Sequence, residues 1–256
     1  MRILLTNDDG IQAEGLLALK RAVESLGEVF VVAPDRPRSA SGHSITLHKP
    51  LRLHKTKLAD GSTAYSSNGT PADCVTLGRG VVMEEKCDLV ISGINPDANL
   101  GWDTSYSGTV SAAAEAAVLG VRAFAISVAS IHEAPVIANF ETAGEVARNL
   151  IIQFGQHEIP KNVLLNVNVP NVAFNDIKGI QITRQGSRQY TDRLITRTDP
   201  WGHPYYWLGG SLLPERALDG TDVYAVQSGY VSITPIHLDL TAYVLLDAMR
   251  DWVAKE

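Results

Sequence analysis

The sequence predicts an α/β protein built on a doubly wound, mostly parallel sheet with helices on both faces. In the first half of the chain, short apolar runs typical of buried strands alternate with segments whose apolar residues recur at helical spacing. Polar loops containing glycine follow several of these strands directly. This alternation is typical of a parallel sheet between two helical layers, which indicates a Rossmann-like, three-layer α/β/α architecture.

The first elements are defined by apolar runs and by helix-ending glycine. A strand is expected over 3–6 and a helix over 15–26, where apolar residues at helical spacing end before Gly27. A second buried strand over 29–33 leads into a polar loop at 34–42, which is too long for a simple connector. Shorter strands are expected over 45–54 and 62–66.

The next helix has the clearest start signal. Thr70 is expected as the N-cap, with Pro71 at the first helical position and Asp73 at the third, for a helix over 71–82. A strand over 88–92, a small-residue helix over 109–119 that ends at Gly120, and a strand over 121–128 complete the alternating half.

The second half is less regular. A helix is expected over 140–154, strands over 163–169, 177–184 and 231–235, and a final helix over 241–253. Residues 186–222 show no clear period, and so long an irregular stretch is unusual inside a compact monomer. We therefore expect a single domain over 1–256, with an oligomerisation arm within 186–235 that packs against another subunit.

Composition excludes several classes of protein. The 256 residues carry a net charge of −6, so the chain lacks the basic surface that a nucleic acid polymer requires as a partner. No apolar run is long enough for a membrane span, and no signal-peptide pattern precedes the first strand, so a cytoplasmic location is expected. Cys74 and Cys87 are expected as free thiols, and the histidines show no zinc-site spacing.

Two adjacent carboxylates, Asp8 and Asp9, follow the first strand and precede Gly10. Two anions about 5 Å apart repel by roughly 3 kcal/mol at an effective dielectric constant near 20. Either one carboxylate takes up a proton or the pair holds a cation, for which Mg²⁺ or Mn²⁺ suits oxygen ligands best. The alternative for the pair alone is a solvated acidic turn or helix N-cap.

Two further loops leave strand ends at the same expected edge of the sheet. They carry Ser39 in 38–42 and Asn95 in 92–95. Asp8, Asp9, Ser39 and Asn95 would together give one divalent ion an all-oxygen set of ligands. Each of the last two residues, taken alone, is an ordinary loop or turn residue.

A possible anion site precedes the small-residue helix. The hydroxyls of Ser107 and Thr109 and the free backbone N–H groups of the first turn suit a phosphate group. The alternative is an ordinary N-cap followed by close helix packing. A metal site beside a phosphate site would suit phosphate-ester hydrolysis.

Five ordered motifs, at 6–10, 38–42, 68–74, 92–95 and 106–110, resemble the SurE family of survival-protein 5′/3′-nucleotidases, as does the C-terminal pattern at 231–241. The resemblance implies hydrolysis of nucleoside monophosphates, dependent on one divalent metal ion per subunit, with activity on short polyphosphate in some members. It also implies a dimer or tetramer with an exchanged C-terminal segment.

Site residues carry over from the family motifs position by position. Asp8, Asp9, Ser39 and Asn95 would hold the metal, Asn99, Ser107, Gly108 and Thr109 would line the phosphate site, and Asn68 would contact substrate. The chain departs from the family at Pro96-Asp97, where a basic or small residue and a glycine are usual. An extra carboxylate there would alter substrate binding.

Direct hydrolysis is the expected mechanism, because the motifs contain no nucleophile paired with histidine. Asp8 or Asp9 is the candidate proton acceptor, and His43 is the alternative. A dinucleotide-binding dehydrogenase would require a glycine fingerprint that the first strand lacks. An aspartyl-phosphate receiver does not account for the later motifs. A metal and nucleotide sensor without turnover, in which Asp97 prevents catalysis, is the non-enzymatic alternative.

Overall fold

A computed structural model describes residues 1–130, 137–154, 157–188, 191, 194–209 and 217–253. Within these residues the strands are β1 (Arg2–Thr6), β2 (Glu28–Pro34), β3 (Leu53–Lys57), β4 (Thr63–Ser67), β5 (Leu89–Asn95), β6 (Arg122–Ala129), β7 (Val163–Pro170), β8 (Ile180–Ile182), β9 (Leu194–Thr198), β10 (Pro204–Leu208) and β11 (Val231–His237). The helices are α1 (Glu14–Val23), α2 (Pro71–Leu77), α3 (Gly108–Val118), α4 (Phe140–Phe154), α5 (Asp222–Gln227) and α6 (Tyr243–Val253).

One large sheet has the strand order β3-β4-β2-β1-β5-β6-β7-β11-β8. The six strands from β4 to β7 run parallel, whereas β3 is antiparallel to β4 and β11 is antiparallel to β7. Helices α1 and α4 pack together on one face, and α2 and α3 pack together on the other. The structure thus confirms the predicted α/β fold.

Successive residues of β1 show how the sequence produces two cores. Ile3 and Leu5 are buried among side chains of α1 and α4, whereas Leu4 is buried with residues of α2 and α3. Neighbouring side chains of a strand point to opposite faces, so a continuous apolar run is needed where helices cover both sides. This burial accounts for the apolar β1 sequence.

The chain changes direction within the sheet at β1. From β1 it passes to β2 on one side, and it later returns to place β5 on the other side, with Thr6 level with Ser92. The connections at such a switch point leave a crevice beyond the carboxyl ends of the strands. The loops that follow β1 and β5 therefore emerge side by side.

The structure shortens several predicted elements. The helix expected over 15–26 ends at Val23 and continues as a 3₁₀ turn, and the one over 71–82 ends at Leu77 and continues as a π turn. The strand expected over 177–184 is limited to β8. Among the described helices, none combines the length and apolar character needed to cross a membrane.

The strand predicted over 45–54 is wrong for most of its length. The apolar alternation of Ile45 and Leu47 resembles a strand, but both side chains are exposed and residues 45–52 pair with no strand of the described chain. Only Leu53 and His54 of that range belong to β3, which extends to Lys57.

The segment predicted to be irregular contains an antiparallel hairpin of β9 and β10, which forms a separate two-stranded sheet. All ten residues of its strands are exposed in the single chain. The arm predicted within 186–235 falls partly on residues outside the described ranges, and the rest of it stays a prediction.

Candidate active site

The turn after β1 is fixed by its own side chains. Asn7 accepts a hydrogen bond from the N–H of Gly10 at 3.2 Å and donates to the carbonyl of Gly10 at 3.0 Å. Gly10 has a φ of +99°, in the left-handed region that favours glycine. This turn presents Asp8 and Asp9 at the crevice beside β5.

Asp8 lies against the start of α3. The hydroxyl of Thr109 donates to Asp8 Oδ1 at 2.6 Å, and the Asp8 side chain is buried. A Cβ added to Gly108 would lie 2.7 Å from Asp8 Cβ and 2.8 Å from its Oδ2, so this approach requires glycine. Burial raises the pKa of Asp8, and hydrogen bonding to the Thr109 hydroxyl and to the Gly108 and Thr109 backbone opposes that rise.

Asp9 is the second carboxylate of the pair. Burial, followed by repulsion from Asp8 and Asp97, raises the pKa of Asp9 to about 7. Its Oδ2 is buried and has no hydrogen-bond partner among the described residues. A buried carboxylate oxygen without a donor is unfavourable unless it is protonated or contacts a cation.

Ser39 and Asn95 reach the same edge of the sheet. The N–H of Arg38 donates to the carbonyl of Asp8 at 2.7 Å, which places Ser39 one residue beyond a direct contact with the acidic turn. Asn95 is the last residue of β5, and its amide nitrogen donates to the Asp97 carbonyl. That bond leaves the Asn95 side-chain oxygen available as a ligand.

These residues fit a hard divalent ion. Within the described ranges, no three His, Cys, Asp or Glu side chains form a metal-binding group, so an ion here would rely on the two aspartates and on uncharged oxygens. The unpaired Asp9 oxygen beside a second buried carboxylate supplies the negative charge such an ion needs.

Three of the predicted phosphate-site residues have clear structural contacts. Ser107 is the N-cap of α3, where its Oγ accepts from the N–H of Val110 at 3.1 Å. Thr109 and Gly108 contact Asp8 as described above. The start of α3 therefore holds Asp8 in place, and its contact with a substrate phosphate stays a prediction.

Asn68 and Asn99 use their side chains elsewhere. Asn68 Oδ1 accepts from the N–H of Arg52 at 2.8 Å, which fixes the loop before β3. Asn99 donates to the Ser127 hydroxyl at 2.8 Å, and its carbonyl accepts from Asn166 and Asn168. Both residues support loops around the site, and neither has a described contact with Asp8 or Asp9.

Two supporting residues were not singled out from sequence. Arg38 connects the acidic turn to Asn68, whose carbonyl accepts from its guanidinium at 2.8 Å. Glu115 of α3 contacts His43 at 2.9 Å and so connects the loop after β2 to the helix that supports Asp8. Both connections join residues far apart in sequence. The only available signal was the position of Arg38 and His43 beside Ser39.

Comparisons with known proteins place the chain in one family. Residues 3–192 match a family model described as "Survival protein SurE". The 5′-nucleotidase SurE of Geobacter metallireducens is 45% identical over 98% of this chain and 97% of its own length. The protein of the same name from Herpetosiphon aurantiacus is 47% identical over all of this chain and 96% of its own. The crystal structure of the SurE protein from Aquifex aeolicus aligns with a TM-score of 0.86 at 43% identity, covering 98% of this chain and 99% of that one.

Proposed function

The chain belongs to the SurE family, and on that basis we propose that it hydrolyses nucleoside 5′-monophosphates to nucleoside and phosphate in a divalent-metal-dependent reaction. The observation that carries the proposal is the buried Asp9 oxygen, which has no partner in the part of the chain that the structure describes and lies beside Asp8 at the switch point of the sheet. The relatives named 5′-nucleotidase SurE support the substrate class. Nucleoside 3′-monophosphates and short polyphosphate are proposed as further substrates.

One Mg²⁺ or Mn²⁺ ion per subunit would be held by Asp8, Asp9, Ser39 and Asn95. When bound, such an ion polarises the phosphoryl group and lowers the pKa of a nearby water. The set offers two carboxylates, one hydroxyl and one amide oxygen, and water and substrate would supply the remaining oxygen ligands.

The chain's own residues would orient the substrate and move a proton. Thr109 and Gly108 hold Asp8 in one orientation, which preorganises the site before substrate binds. The N-terminal end of α3 carries partial positive charge and would attract the phosphate. Asp8 or Asp9 would accept the proton of the attacking water.

The first test replaces Asp9 by Asn and measures phosphate released from AMP and GMP with Mg²⁺, Mn²⁺ or EDTA. We expect the variant to lose roughly a hundredfold or more of its metal-dependent turnover, because it removes a charged ligand with little change in volume. Thermal unfolding of the variant checks that it folds.

Asp97→Asn is the matched control, since it also removes a carboxylate beside Asp9 but lies outside the proposed ligand set. It should retain metal-dependent hydrolysis. Full activity of the Asp9 variant would contradict the metal site. Tight nucleotide binding by the wild-type chain without phosphate release under any metal would instead indicate the sensor.

We further propose that the chain forms a dimer or tetramer in which a C-terminal segment is exchanged. The β9–β10 hairpin and α6 support this proposal, because neither contains a residue buried within the single chain. The predicted cytoplasmic location stays a prediction.

A further inference from the structure

A concave cavity of about 510 Å³ lies outside the acidic site, a volume within the range typical of small-molecule sites. Its walls come from three separate segments: the 3₁₀ turn at Gly101–Ser105, residues 184–187 after β8, and residues 217–223 at the start of α5. Neither the metal site nor the phosphate site proposed above uses these residues.

Asp222 holds the three walls together. Its fully buried carboxylate accepts hydrogen bonds from the backbone N–H of Gly101 at 2.8 Å, of Gly186 at 2.7 Å and of Val223 at 2.8 Å. Gly101 and Gly186 approach so closely that a Cβ on Gly101 would lie 2.7 Å from the Gly186 carbonyl oxygen. Gln185 adds a bond to the Thr104 hydroxyl at 2.8 Å. The cavity is therefore preformed.

Trp102 and Arg184 give the cavity its binding chemistry. The Trp102 side chain lines the cavity while 65% of its surface stays exposed, which offers a free aromatic face. Arg184 lines the same space and is exposed, and no hydrogen bond or ion pair within the described ranges engages its guanidinium. An indole face with a neighbouring planar donor suits a flat heteroaromatic ring that carries acceptors at its edge.

The cavity lies next to the proposed phosphate site along the chain. Trp102 belongs to the 3₁₀ turn that leads into Ser107, the N-cap of α3. The three steps from Trp102 to Ser105 rise about 2 Å each as a 3₁₀ helix, and the two remaining steps span at most about 3.6 Å each, so Trp102 and Ser107 lie within roughly 13 Å of each other. Asn99, just before the turn, bonds to Ser127 of β6 and Asn168 of β7, so the segment crosses the carboxyl ends of these strands.

We infer that this cavity binds the nucleoside part of the substrate, with the base stacked on Trp102 and its edge facing Arg184, an inference that rests on the proposed function. The site would thereby distinguish nucleotides from other phosphate esters. Recognition of a base by stacking tolerates differences between bases, so the cavity would accept both purine monophosphates.

The test compares Trp102→Ala with the wild-type enzyme on AMP, GMP and glycerol 2-phosphate, an ester without a base. Stacking of one base contributes an amount equivalent to about a tenfold change in affinity. We expect KM for AMP and GMP to rise about tenfold in the variant, with kcat and the KM for glycerol phosphate unchanged. Trp102→Phe, which keeps an aromatic face, should retain most of the nucleotide affinity.

A second measurement does not depend on turnover. Free adenosine and guanosine are titrated calorimetrically into the metal-free chain, and binding should be present in the wild-type chain, weaker in Arg184→Met and lost in Trp102→Ala. If the wild-type chain binds nucleosides in this way but releases no phosphate, the proposed function fails and the cavity assignment stands. If the wild-type chain hydrolyses AMP but Trp102→Ala changes neither nucleoside binding nor the preference for nucleotides over glycerol phosphate, the cavity assignment is overturned.

Discussion

Asp9 couples the stability of the chain to pH. Its pKa of about 7 in the folded state lies above the ordinary value of 3.8, so the folded state binds more protons than the unfolded state between these values. The contribution of Asp9 to the free energy of unfolding is therefore fully present below about pH 4 and is lost as the pH rises through 7. Metal-free wild-type chain should therefore become less stable over that interval.

Asp9→Asn should remove this dependence. In EDTA at pH 8 we expect the variant to be more stable than the wild type by roughly 1–2 kcal/mol. The raised pKa of Asp9 corresponds to a few kcal/mol at most, and partial exposure of the side chain to solvent reduces that amount. Urea unfolding at pH 4, 5 and 8 measures the difference, which should nearly vanish at pH 4. A constant difference at all three pH values would show that ionisation of Asp9 is not its cause.

Thr109 is expected to stabilise Asp8 through a single hydroxyl. Thr109→Val keeps the shape of the side chain but leaves Asp8 Oδ1 without this buried donor. The variant should lose about 1–3 kcal/mol of unfolding free energy and much of its hydrolytic activity. Thr109→Ser keeps the hydroxyl and is the control. Equal losses in both variants would assign the effect to packing of the methyl group.

Sequence reasoning located these residues but not their contacts. The adjacency of Asp8 and Asp9 after an apolar run was enough to place a carboxylate pair at a strand end. The hydrogen bond from Thr109 spans 101 positions of sequence, and its hydroxyl was expected to face a phosphate. The same short pattern at the start of a helix suits an incoming anion and a carboxylate of the chain equally well.

At the scale of elements, Asp222 fixes α5, the 3₁₀ turn after Gly101 and the segment after β8 relative to one another. In Asp222→Asn, one carboxylate oxygen becomes an amide nitrogen and faces a backbone N–H, so at least one buried donor loses its acceptor. We expect a loss of about 2–3 kcal/mol of unfolding free energy. Guanidinium unfolding measures it.

Asp219 provides the comparison for that variant. It lies in the exposed turn before α5, and Asp219→Asn should change stability by less than about 0.5 kcal/mol. Similar losses in the two variants would show that the three-way contact of Asp222 is not what stabilises this region.

The elements that sequence predicted well are those that the sheet buries. Strands such as β1 and β5 have apolar residues at successive positions because helices cover both faces, and that pattern has few alternatives. Residues 45–52 alternate in the same way as a half-buried strand, yet no neighbouring strand pairs with them in the described chain. The β9–β10 hairpin was not predicted, because all its strand residues are exposed in the single chain, so its side chains do not divide into a buried face and an exposed face.

At the scale of the whole molecule, α6 has an apolar surface that the single chain does not cover. Five of its apolar residues recur at helical spacing and form one stripe, and all five are exposed: Leu245, Leu246, Met249, Trp252 and Val253. A helix with such a stripe ordinarily buries it against another element. We therefore expect α6 to contact a second copy of the chain.

Met249→Asp tests this contact in the middle of the stripe. Burial of one methionine contributes about 1.5–3 kcal/mol, and a carboxylate in an apolar interface costs more. The dissociation constant of the oligomer should rise roughly a hundredfold or more, because each 1.4 kcal/mol corresponds to a factor of ten. Sedimentation velocity over a range of concentrations measures the change. Val118→Asp is the control, since Val118 is equally exposed on α3 but lies outside the stripe, and that variant should assemble like the wild type. A wild-type chain that sediments as a monomer at every concentration, or a Met249 variant that assembles normally, would show that α6 does not hold subunits together.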